Sequence, residues 1–130
     1  MSCGSTITST EGHILEAFRL SPRDIQAYRW LHFVGVAKLQ LGAVAEAAGW
    51  LRRSIEANRN LPLAHFALAA ALGLLGELDE ARTVAKKGLA LNPSFTVRRL
   101  RNAKSSENPI YLAGRERLCR GMLMAGVPEG

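Results

Sequence analysis

Three histidines, two cysteines and one short acidic run are the side chains in this sequence that could carry chemistry. His13, His32 and His65 could bind a metal or move protons, but none has a second His or Cys at ligand spacing, and the chain contains neither HExxH nor CxxC. A structural or surface role is therefore expected for each. Glu77, Asp79 and Glu80 gather three carboxylates, yet no loop around them supplies the six or more oxygens that calcium prefers. Asp79 and Glu80 fit the first turn of a helix, where negative charge meets the positive end of the macrodipole. "GLLGEL", with Gly73 and Gly76, is no phosphate loop, because no strand precedes it and no Lys-Ser/Thr pair follows. Trp30 and Trp50 read as core or edge anchors, not as stacking platforms for a ligand. No catalytic constellation, metal site or cofactor is expected, and the chain reads as a non-enzyme.

The elements that carry these residues are helices. With 130 residues and a hydrophobic fraction of 48%, the chain can bury one core. That fraction is mostly Ala and Leu, a composition that suits close-packed helices over sheets, so the fold class is all-α. Seventeen Lys and Arg against eleven Asp and Glu give a net charge of +6, and from Thr96 onward seven basic residues face three acidic ones. "VRRLRNAK", residues 97–104, holds Arg98, Arg99, Arg101 and Lys104 with no anion between them. Such a patch is either a solvated helix face or a surface that steers an anionic partner. Cys3 and Cys119 read as free thiols in a reducing compartment. The longest apolar run, Phe66 to Leu75, is far shorter than the roughly 20 residues a spanning helix needs, so no membrane and a cytoplasmic location are expected.

Sliding the chain against itself exposes a repeat. A shift of 34 residues aligns Leu41 with Leu75, Gly42 with Gly76, Val44 with Leu78, Glu46 with Glu80, Ala47 with Ala81 and Asn58 with Asn92. Each unit reads as two antiparallel helices. In the repeat at 62–93, one helix runs over 63–75, Gly76 and Glu77 turn the chain, and a second runs over 78–91 before Asn92 and Pro93 stop it. Lys86 and Lys87 lie toward the end of that second helix, where they match the macrodipole. The repeat at 25–58 has helices over 25–41 and 44–57. Gly35, Ala47 and Ser54 in one unit, and Ala69, Ala81 and Gly88 in the other, are the small residues expected to let helix backbones approach closely.

Residues 11–22, "EGHILEAFRLSP", match the closing half of a further unit, and 1–10 read as a disordered tail. At the other end, 96–103 begins another first helix. Asn108 and Pro109 then supply the cap and first residue of a C-terminal capping helix within 108–126.

The 34-residue period and the small-residue register resemble the tetratricopeptide repeat (TPR) family over residues 11–103. The resemblance implies an α-α superhelix, an α-solenoid of about two and a half helical hairpins. The family pattern is broken in places. Leu31 and His65 stand where a large aromatic is usual, and Lys38 and Leu72 where tyrosine is usual. "LSPRD", "ALNPSFTV" and "AGVPE" are also similar to the C-terminal TPR region of certain bacterial adenylate cyclases and winged-helix transcriptional regulators, which implies a place in a signalling protein.

The family likeness further implies that the first helices line a partner-binding groove. Arg29, His32, Val36, Leu39, Gln40, Leu63, Phe66, Ala70, Gly73 and Leu74 are the residues projected onto it. His32, Val36, Leu63 and Ala67 occupy the positions of the Lys and Asn residues by which some TPR domains clamp a peptide carboxylate, so that mode is not expected. The expectation is a non-catalytic protein-interaction scaffold. Its groove accepts an apolar or amphipathic helix from a protein or peptide partner, or from a second copy in a homodimer. The chain's own last helix, with Ile110, Leu112, Leu118 and Met122, is the competing occupant. A disfavoured alternative is nucleic acid bound electrostatically, as in a transcriptional regulator, by Arg98, Arg99, Arg101, Lys104, Arg115, Arg117 and Arg120, since no recognition fold accompanies them.

Overall fold

Glycines at positive φ and extended asparagines punctuate the chain into helical hairpins. The structure, a computed structural model, describes residues 27–103 and 107–130. The tail at 1–10, the half-repeat at 11–22, His13, Cys3 and Lys104 lie outside the described residues. The described residues form helices α1 (Ala27–Gln40), α2 (Val44–Ala57), α3 (Pro62–Leu74), α4 (Leu78–Leu91), α5 (Val97–Asn102) and α6 (Pro109–Met124), with no strand among them.

The two hairpins share their local chemistry in the 34-residue register. α1 ends with Gly42 at φ 93° and α3 with Gly76 at φ 87°. In both, the glycine N–H and the one after it donate a pair of hydrogen bonds back to carbonyls of the last turns: Gly42 to Leu39 and Ala43 to Lys38, then Gly76 to Gly73 and Glu77 to Leu72. This is the αL helix stop that glycine adopts without the Cβ clash other residues meet. α2 and α4 end differently, on Asn58 and Asn92 in extended or near-extended backbone, each N–H bonding the carbonyl four residues back, of Ser54 and Gly88. α6 repeats the first device, with Gly126 at φ 91° and Val127 bonded to Met122. Its start carries the expected cap: the Asn108 side chain accepts from the Ile110 N–H, with Pro109 at the first turn.

Small residues sit where backbones meet. A Cβ on Gly35 would lie 2.6 Å from Leu51 Cγ, and one on Gly88 would lie 2.9 Å from the Phe66 ring. Ala47, Ala69 and Ala81 are completely buried. Ser54 is buried as well, and its hydroxyl donates to the Tyr28 carbonyl at 2.7 Å, which joins α2 to the start of α1. A buried hydroxyl without such an acceptor would cost about 1–3 kcal/mol.

α3 is the centre of the molecule. Every residue from Ala64 to Gly73 is buried, because α2, α4, α6 and α1 all pack against this helix. A helix apolar all round is the sequence form of such a position. His65 is tolerated inside it because its Nε2 bonds the Arg59 carbonyl at 2.9 Å. That carbonyl can only accept, so Nε2 carries the hydrogen.

Two expectations need correction. Lys86 and Lys87 fall short of the last turn of α4, which contains no basic residue; dipole stabilisation fades beyond that turn, so it does not explain them. Phe66 does not point into the expected groove. Its ring lies under Gly88 of α4 and stacks on Phe95, centroids 4.1 Å apart. Only about 40° of helical rotation separates it from the groove-facing Ala70, so it stands at the edge of that face, and its ring takes the space left by Gly88 on the hairpin partner.

Candidate interaction surfaces

α6 occupies the face on which the partner groove was expected. Gly121 rests on Ala70 of α3 so closely that a Cβ there would meet the Ala70 carbonyl oxygen and lie 2.9 Å from its Cα. Gly73 faces back onto Gly121, whose carbonyl oxygen is 2.8 Å from where a Gly73 Cβ would stand. Two turns earlier on the same face, Gly114 sits against Gln40 of α1, where an added Cβ would lie 2.8 Å from the Gln40 Cβ. Arg117 then donates from Nη1 to the Gln40 carbonyl at 2.6 Å, placing a guanidinium at the negative end of α1. Gly114, Leu118 and Gly121 recur at helical spacing on one side of α6, and that spacing is the signal from which this packing could have been read.

The predicted groove residues therefore divide. Gln40, Ala70 and Gly73 lie beneath α6. Leu39 is fully buried, and Val36 and Leu74 pack against the core. Phe66 is buried on the other side of α3, as described above. Arg29 and Leu63 remain exposed; Arg29 bonds and stacks on its neighbour Tyr28. His32 is mostly covered. Burial lowers its pKa from 6.5 to about 4, and its Nδ1 has no partner among the described residues.

Half of the described cations of the basic patch are engaged inside the molecule. Arg101 bonds Glu116 at 2.6 Å and reaches Glu129 at 3.5 Å. Arg115 donates to the Leu100 carbonyl at 2.6 Å, and Arg117 to Gln40. Arg98, Arg99 and Arg120 stay exposed. Three guanidiniums thus fasten α5, α6, α1 and the C-terminal segment, which leaves Arg98, Arg99 and Arg120 as a sparse field for a polyanion to follow.

What stands open is the outer side of α1. Trp30 is 40% exposed, Phe33 68% and Leu41 69%, and with Ala37 they fall at i, i+3, i+7 and i+11 along one stripe. Shifted by 34 residues, Trp30, Phe33 and Ala37 correspond to Ala64, Ala67 and Ala71 of α3, which are buried. Among the described residues, the same structural position is covered in one hairpin and exposed in the other. Ile110, 79% exposed at the start of α6, is one turn before the Gly114 contact with α1. Neither expectation for Trp30 nor any projected groove residue marked this stripe.

Among the described residues, no three His, Cys, Asp or Glu side chains come together to hold a metal ion, and no helix is long and apolar enough to cross a membrane. Cys119 is a buried free thiol, its pKa pushed up chiefly by burial, which disfavours the reactive thiolate. The fold and its surfaces define an all-helical chain of packed hairpins whose last helix lies across the first helices of both. Set against models of known protein families, curated proteins and solved structures, the chain matches none.

Proposed function

We propose that this chain is a TPR-like protein-interaction module with no catalysis of its own, which engages an apolar or amphipathic helix on the outer side of α1. The helix belongs to a protein partner or to a second copy of the chain. The observation that carries this reading is the bare stripe of Trp30, Phe33 and Leu41. In a stack of equivalent hairpins each first helix is covered on that side by a neighbour, and none of the described residues covers α1 there, so this side is where a further helix would add to the array. The equivalence of the two hairpins, from Gly42 and Gly76 to Asn58 and Asn92, supports the solenoid reading. The groove on α1 and α3 is taken by α6, which moves the expected contact from the inside of the array to its end.

The experiment is to compare wild type with the Trp30→Asp, Phe33→Asp double variant by sedimentation and by capture of partners. Loss of self-association or of captured partners, with the helical spectrum unchanged, supports the proposal. An unchanged oligomeric state and an unchanged set of partners in a still-folded variant would remove α1 as the site.

A further inference from the structure

On the opposite side of α3 from α6's glycine contacts, the second helices of the two hairpins stand apart and leave a trough between them. At one end Arg52 of α2 reaches across to Glu80 of α4 at 2.8 Å. That hydrogen bond holds the Glu80 carboxyl below the usual carboxylate range. Beyond it the gap opens toward the ends of both helices, a hollow of about 600 Å³ continuous with a smaller one of about 230 Å³ beside the ion pair. The two share Ile55, Glu56, His65 and Lys87.

The floor is apolar, made by Ile55, Leu68 and Val84, with Leu91 as an exposed apolar wall at the mouth. The rim is charged. Arg59 and Lys87 are exposed on opposite sides of the mouth, and no ion pair engages either among the described residues, whereas Arg52 is committed to Glu80. Glu56 stands on the α2 side of the same rim. His65, 5% exposed, lines the floor and bonds the Arg59 carbonyl, fixing the loop that carries Arg59 at the mouth.

We infer that this trough binds a short acidic peptide segment with an aliphatic side chain beside its carboxylate. The aliphatic group fills the space over Ile55, Leu68 and Val84, and the carboxylate meets Arg59 and Lys87, neither held in an ion pair among the described residues, although the Lys87 charge also helps lower the Glu80 carboxyl. Glu56 accepts a peptide N–H, a group that a fatty acid of similar polarity lacks. The wider hollow is within the size range of small-ligand sites, about 300–1,000 Å³, and is extended by the smaller one of about 230 Å³, lined by Leu68 and Val84, which has room for one side chain. It is open along its length, which suits an extended strand of peptide over an enclosed small molecule. This surface is separate from the α1 stripe, so the two readings fail independently.

The test uses the whole chain and an NMR titration with the acetylated, amidated pentapeptide ALELA, its isostere ALQLA, and octanoate. ALELA is expected to produce saturable amide shifts at Ile55, Arg59, His65, Lys87 and Leu91. Replacing its glutamate by glutamine should weaken binding by about 5- to 10-fold, and Lys87→Ala or Arg59→Ala by about 2- to 5-fold each, as partly exposed charge pairs allow. The Trp30→Asp, Phe33→Asp variant should bind ALELA as wild type does. Equal binding of ALELA and ALQLA, shifts confined to other surfaces, or no saturable shift would overturn the inference. Octanoate binding the trough more tightly than ALELA would overturn the assignment to a peptide.

Discussion

At the scale of single residues, the packing is decided by whether a Cβ fits. Gly121 has no room for one, since the Ala70 backbone occupies the space, whereas Gly49 on the exposed side of α2 has nothing within 4 Å. Gly121→Ala is therefore expected to destabilise by about 1–3 kcal/mol through overpacking against backbone. Gly49→Ala should stabilise by about 0.5–1 kcal/mol through helix propensity. Urea denaturation of both variants checks the pair. His32 gives a second residue-scale prediction. Its folded-state pKa of about 4 lies below the unfolded 6.5, so the unfolded chain binds the proton more readily. The stability it confers is complete above pH 6.5 and is lost as the pH falls toward 4. Over that window wild type should lose about 3 kcal/mol more than His32→Leu in parallel denaturation series.

At the scale of elements, glycine turns set where the helices stop. Gly76 has open space around a Cβ but sits at φ 87°, so Gly76→Ala tests conformation free of packing. Thermal or urea unfolding should show a loss of roughly 1–2 kcal/mol, with Gly76→Asn less affected. α1 to α4 and their turns could be read from the sequence because the 34-residue register repeats glycine, small-residue and asparagine positions that each have one physical job. The side to which Phe66 points could not be read as securely. It lies at the border of two faces, and only Gly88 opposite, with no side chain, makes room for the ring on the α4 side. The path of α6 was hidden for a similar reason. Gly114 and Gly121 allow close approach, but a glycine does not declare which backbone it will meet.

At the scale of the whole molecule, the described residues complete their own inner face and leave the outer side of α1 exposed. The excess of positive charge toward the C-terminus suggested a polyanion surface, yet Arg101, Arg115 and Arg117 are engaged by carboxylates and helix carbonyls. A random-sequence DNA duplex should accordingly show no saturable binding even at about 50 mM salt, where phosphate contacts are strongest. That outcome was not evident from composition, which counts charges without their partners. The exposed stripe of Trp30, Phe33 and Leu41 was hidden for the opposite reason, since amphipathic patterning alone does not distinguish a covered helix from an uncovered one.

The placement of α6 across α1 and α3 governs the rest, because it closes the inner groove and is the reason the proposed contact lies on an outer surface. A carbon-edited nuclear Overhauser spectrum of the full chain measures it directly. Strong cross-peaks between the α-protons of Gly121 and Ala70, and between Gly114 and Gln40, are the expected result. Their absence in a well-dispersed spectrum, with the amides of 109–124 exchanging as fast as those of an unstructured peptide, would show α6 detached and contradict the account.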